Sequence, residues 1–209
     1  MSRHRALVQV LGAVAYGELK AYEGARARAE AASDEEERRA HRQVAAEELR
    51  HHKGFVRRLE ALGADPERAM APYRAQLDRY HSTAPSDELA EAVSSYLGEG
   101  IADDLLRWLR RVADSDTAAF IDDVLEDEAG HEAMAAGELR RYLDADPVRR
   151  LRSGVAALEM AARMARSGFA GRGLMPFRAF VELGRPLDLL AAVVGGQARR
   201  VARAGMLAA

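Results

Sequence analysis

Apolar residues recur every third or fourth position along nearly the whole chain, which is the period of an amphipathic helix. Leu7, Leu11 and Val14 keep that interval and predict a first helix from about Arg5 to Ala32. Ser33-Asp-Glu-Glu36 reads as a capping box, whose acidic residues suit the positive end of a second helix running to Leu62 and stopping at Gly63. Asp65-Pro66 opens a short helix to about Tyr80, and His81-Ser-Thr-Ala-Pro85 breaks it. Ser86 is placed to cap a long helix to Val112, and Asp114-Ser-Asp116 starts another that ends near Asp144. A further helix is expected from Val148 to Ser167, then a glycine-rich loop from Gly168 to Gly173. A short apolar segment over Phe177–Leu183 and a last helix over Pro186–Leu207 complete the chain. No stretch alternates as a strand does. The fold class is therefore all-α: a four-helix bundle with a long crossover between its second and third helices and extra C-terminal helices.

The composition supports this reading and removes several chemistries. The 209 residues are 48% hydrophobic and 31% charged, with only six prolines, as in a globular helical protein. With no cysteine, disulfides, iron–sulfur clusters, thiolate zinc sites and cysteine nucleophiles are excluded. Any metal must be held by histidine and carboxylate.

Charge is unevenly spread. From Val148 onward, 11 arginines face Glu159, Glu182 and Asp188, a net of +8 that leaves −10 on the rest of a chain totalling −2. This divides the sequence into a bundle over 1–147 and a basic C-terminal helical extension over 148–209. Such a segment can contact RNA phosphates or dock on its own acidic body. At the N-terminus, basic residues precede an apolar run as in a leader peptide. Gln9 interrupts that run, and the pattern continues into Tyr16-Gly-Glu-Leu-Lys-Ala-Tyr22. No stretch approaches the ~20 apolar residues that span a bilayer. A cytoplasmic protein with no membrane partner is expected.

Each of the four long helices carries a carboxylate inside its own apolar stripe. Glu18 follows Leu7, Leu11 and Val14, and Glu48 and His51 lie between Val44 and Phe55. Glu99 follows Leu89, Ala92 and Tyr96, and Glu128 and His131 lie between Val124 and Ala135. A buried carboxylate costs several kcal/mol unless it is paired or binds a metal, and divalent cations remove that cost. Glu48-Leu-Arg-His51 and Glu128-Ala-Gly-His131 are both Glu-x-x-His, whose two side chains share one helix face and can reach one ion. Glu18 and Glu99 stand alone on the other two helices, each directly after a glycine. The interval from Glu18 to Glu48 is 30 residues and from Glu99 to Glu128 is 29, one helical hairpin each. This is the ligand set of di-iron and di-manganese carboxylate bundles.

Other polar residues are read differently. Glu23, Glu30, Glu47, Glu132 and Glu138 are assigned to solvated faces, and His4, His41 and His81 to surface or interhelix positions. His52 falls one step off the stripe. Helical spacing makes Tyr22 and Asp103 candidates to support ligands, and Arg50 and Asp127 a candidate hydrogen-bonded pair behind the site. A zinc-protease motif is absent because position 135 is alanine, and Gly168-Phe-Ala-Gly-Arg-Gly173 follows no strand, so it is no nucleotide fingerprint.

Together these residues resemble the ferritin-like superfamily, and within it the tRNA 2-methylthio-isopentenyl-adenosine hydroxylase (MiaE)-like proteins of the actinobacterial branch. The resemblance covers roughly residues 5–145. It rests on Tyr16-Gly-Glu-Leu19, Glu48-Leu-Arg-His51, Met70-Ala-Pro72, Thr83-Ala-Pro-Ser-Asp87, Tyr96-Leu-Gly-Glu-Gly-Ile-Ala102 and Gly130-His131. It implies a non-haem di-iron centre that activates dioxygen, with Glu18, Glu48, Glu99, Glu128, His51 and His131 as ligands. Manganese is an alternative metal for such a set. The expected activity is hydroxylation, with electrons from an external ferredoxin or flavoprotein reductase and tRNA as a candidate partner of the basic segment. A rubrerythrin- or ferritin-like peroxidase or ferroxidase is the alternative enzyme. The non-catalytic alternative is a metal-stabilised helical module, in which the apolar run Leu187–Val194 serves a homodimer.

Overall fold

The computed structural model describes residues 1–83, 85–169 and 175–206. They form eight helices: α1 (Arg3–Ala31), α2 (Glu35–Ala61), α3 (Pro66–Ser82), α4 (Glu88–Val112), α5 (Ser115–Ala145), α6 (Pro147–Phe169), α7 (Met175–Leu183) and α8 (Pro186–Arg203). No strand occurs among the described residues, so the all-α expectation holds. No helix among them is long and apolar enough to cross a membrane. Most of the expected loop over 168–173, and the expected end of the last helix at Leu207, lie outside the described residues.

Local chemistry explains the boundaries. Asp34, rather than Ser33, caps α2: its Oδ1 accepts from the Glu37 backbone N–H at 2.9 Å, while Glu37 reaches back to the Ser33 N–H at 3.2 Å. The capping box is thus present one residue late, because aspartate adds a negative charge at the positive helix end. The same substitution occurs at α4, where Asp87 accepts from the Ala90 N–H and Ser86 instead donates to Glu159. Asp114 caps α5 by accepting from both the Thr117 N–H and the Thr117 hydroxyl. At the end of α2, Gly63 takes φ +71 while the Ala64 N–H bonds the Leu59 carbonyl and the Gly63 N–H the Glu60 carbonyl. That is the αL termination for which glycine carries no Cβ penalty.

The chain divides into two compact units, residues 1–82 with 167–184 and residues 83–166 with 185–209. In the first, α1 packs on α2 and also against α3 and α7. Gly12 lets α1 and α3 approach until a Cβ at that position would lie 2.3 Å from the Ala69 carbonyl oxygen. Across the same pair the Tyr16 hydroxyl donates to Asp78 Oδ1 at 2.6 Å. The His52 ring Nδ1–H donates to the Ala15 carbonyl at 2.7 Å and ties α2 to α1.

In the second unit, α4 packs on α5 and on α8. Its core joins Leu89, Val93, Tyr96 and Leu97 with Leu139, Leu143, Ala156, Met160 and Met206. The Trp108 indole N–H donates to the Arg185 carbonyl at 3.0 Å, and Gln197 donates to the Leu97 carbonyl at 3.2 Å, so α8 is anchored to α4 twice.

Gly12→Ala should destabilise the protein by about 1–3 kcal/mol, because the group it would strike is backbone and cannot swing away; urea unfolding reads this directly. Tyr16 supports Asp78 by a bond to its ionised form, which holds that carboxyl below the usual aspartate range, with Lys20 adding to the effect. A depressed carboxyl contributes stability that is present above its unfolded value of 3.8 and lost as pH falls through the folded value. Melting temperatures of wild type and Tyr16→Phe should therefore differ near neutrality and converge in acid.

Candidate metal centre

In the first unit α1 and α2 bring Glu18, Glu48 and His51 together. Each offers a ligand atom, and these atoms lie within 4.8 Å of one another. The His51 Nδ1 stands 3.5 Å from Glu18 Oε2 and 3.7 Å from Glu48 Oε2. All three side chains are buried, with Glu18 at 8%, Glu48 at 2% and His51 at 1% exposure. The helix geometry accounts for this: Glu48 and His51 are three apart on one face of α2, flanked by buried Val44 and Phe55.

The second unit carries the same residue types on α4 and α5. Glu128 Oε1 and His131 Nδ1 are 3.8 Å apart, and Glu99 offers a ligand atom within 4.8 Å of one on His131. Glu128 and His131 are buried and Glu99 is half-buried. Each unit thus holds one solitary glutamate and one Glu-x-x-His pair.

These donors suit a divalent cation. Two ligand atoms, each about 2.1 Å from one ion and subtending a right or tetrahedral angle, stand about 3.0–3.4 Å apart. The nitrogen–oxygen separations lie just outside that span. Carboxylate with imidazole is a donor set for iron, manganese or zinc. Two carboxylates this close and this buried would repel each other without a cation.

The remaining predicted residues differ in burial and in partners. Tyr22 is half-buried and hydrogen-bonds Arg26. Arg50 is exposed on α2, and Asp127 is half-buried on α5. Asp103 is buried, but its carboxylate accepts from the Arg107 Nε–H at 2.8 and 3.0 Å and from Arg200 at 3.3 Å. His4 and His81 are exposed, whereas His41 is buried on α2 beside Glu37.

Sequence reasoning missed the cluster around Arg200. This α8 side chain donates to Asp104 at 2.8 Å, to Asp103, and through Nε and Nη2 to both oxygens of Glu132 at 3.2 Å. Glu132 is therefore not on a freely solvated face. Burial works against the charge on Arg200, and its hydrogen bonds to Glu132 and Asp104 outweigh it, so its pKa is raised. Burial also pushes Asp104 above the usual aspartate range despite that partner. Burial, then the Glu132 charge, raises the Tyr96 phenol. The sequence signals available were Gly100 and Gly196, each one helical turn from a member of the cluster.

A family model described as the ferritin-like domain of actinomycetes matches residues 2–168. The chain belongs to that family. No curated protein matches it. A ferritin-like domain with paired Glu and Glu-x-x-His sets has a buried carboxylate–histidine cluster that can hold metal.

Adding Mn(II) or Fe(II) at 100 times its Kd should stabilise the domain by about 2.7 kcal/mol. His51→Ala should remove most of that gain in thermal melts, as should lowering the pH to protonate the ligands. Glu18→Gln should raise the melting temperature of the metal-free protein while weakening the metal-dependent increment, because it relieves repulsion with Glu48.

Proposed function

We propose that this chain is a non-haem di-iron protein that activates dioxygen and hydroxylates its substrate, of the MiaE-like tRNA-modifying type. The observation that carries the reading is the buried carboxylate–histidine set: Glu18, Glu48 and His51 on α1 and α2, and on α4 and α5 His131 near both Glu128 and Glu99. Glu18, Glu48, His51, Glu99, Glu128 and His131 would hold two irons, with manganese the competing occupant. Such a pair of metals supplies the reductive activation of dioxygen that insertion of oxygen into a C–H bond requires.

The protein's own contribution is charge and dryness. Four glutamates offer up to four negative charges to offset two divalent cations, and two neutral imidazoles complete the donor set. Burial of five of the six side chains keeps bulk water away from the reacting atoms. In hydroxylation one oxygen atom enters the product and the other leaves as water, which takes two electrons and two protons. Without cysteine the chain has no bound iron–sulfur relay, so a ferredoxin or flavoprotein reductase would supply those electrons. The bundle would be residues 1–147, with 148–209 as the basic extension that meets tRNA. Part of that extension's charge is answered within the chain, by Arg152 on Asp87 and Arg200 on Asp103, Asp104 and Glu132.

Metal analysis paired with tRNA nucleoside profiling of a deletion strain tests the reading. About two irons per chain and loss of a hydroxylated nucleoside are expected. Accumulation of many irons per chain with rapid oxidation would favour a ferroxidase or store, and an unchanged nucleoside profile would overturn the tRNA substrate. Binding to bulk tRNA should weaken steeply with salt if the arginines carry it.

A further inference from the structure

The Arg200 cluster lies next in sequence to two candidate ligands of the second unit, Glu99 and His131. Glu132 directly follows His131 on α5; Gly100 directly follows Glu99 on α4, and Asp103 lies one turn further on. Arg200 bridges those two helices from α8, forking onto Glu132 through two nitrogens and onto Asp103 and Asp104 through its terminal nitrogens. The guanidinium is 7% exposed and the two aspartates 9% and 8%. Arg107 also donates to both oxygens of Asp103.

The backbone is cut to fit this side chain. A Cβ on Gly100 would lie 2.1 Å from Arg200 Nε, and one on Gly196 would lie 2.1 Å from Asp104 Oδ2. Two helices therefore give up a side chain where the ionic cluster passes between them. A planar fork with fixed donor directions holds such carboxylates at set positions, which a lysine cannot do.

We propose that Arg200 is a positioning residue for the metal centre, fixing α4 and α5 so that Glu99 and His131 meet one cation. This rests on the metal reading above. Ligand constellations tolerate displacements of only about 0.5 Å, so a buried cross-tie between α4 and α5 bears on whether their ligands meet. One arginine of the basic C-terminal segment thereby has a role inside the protein, independent of any RNA.

The test is a Co(II) titration of the full chain, followed by the ligand-field absorption of the bound ion and by unfolding of the metal-free protein. Glu132→Ala cuts the tie to α5 alone, Arg200→Lys keeps the charge but loses the fork, and Asp123→Asn on exposed α5 surface is the control. The first two should bind Co(II) about tenfold or more weakly with an altered spectrum, while the control matches wild type. If Arg200→Lys does not fold, Glu132→Ala decides alone. Folded Glu132→Ala with wild-type affinity and spectrum would overturn the positioning role. Failure of the wild type itself to take up Co(II) would instead overturn the metal reading on which it rests.

Discussion

Carboxylates in an apolar interior need a positive partner, and that electrostatic demand organises this protein. Glu18 and Glu48 are buried beside His51, where water cannot screen their charge. Asp103 and Asp104 are as deeply buried. The two groups meet the demand differently. The aspartates receive arginine, a cation supplied by the chain, whereas the glutamates lie with imidazoles in a set suited to an ion from solution.

That difference separates what is structural from what is available for chemistry. An arginine fork neutralises its carboxylates with directed hydrogen bonds from within the chain. A histidine beside two glutamates places ligand atoms within 4.8 Å of one another, and neutral imidazole is itself an acceptor, so the set can hold a metal. The second unit contains both arrangements one residue apart, at His131 and Glu132. An arginine-paired carboxylate and a metal-suited imidazole thus occupy adjacent positions of α5, which helical geometry turns about 100° from each other.

Glycine makes two close approaches reachable. Gly12 lets the crossover helix α3 sit against α1, and Gly100 and Gly196 open room for Arg200. The glycines that precede Glu18 and Glu99 are different, since a Cβ on Gly17 meets nothing and one on Gly98 only brushes Met160. Their presence at matching places is an internal likeness of the two hairpins, with no close approach to explain it.

The helices, their stops and the Glu and Glu-x-x-His positions were legible in the amino-acid order. All depend on neighbours within a turn or two: a 3.6-residue period, a cap three residues away, a glycine at φ +71. The caps at Asp34 and Asp87 were displaced by one residue because serine and aspartate compete at adjacent positions, and only backbone geometry chooses between them. Asp103 and Glu132 were assigned from spacing to ligand support and to solvent, yet both meet Arg200, 97 and 68 positions away. Local sequence determines which face a side chain occupies. Which charge awaits it there is decided by tertiary structure, because the partner comes from a helix remote in the chain.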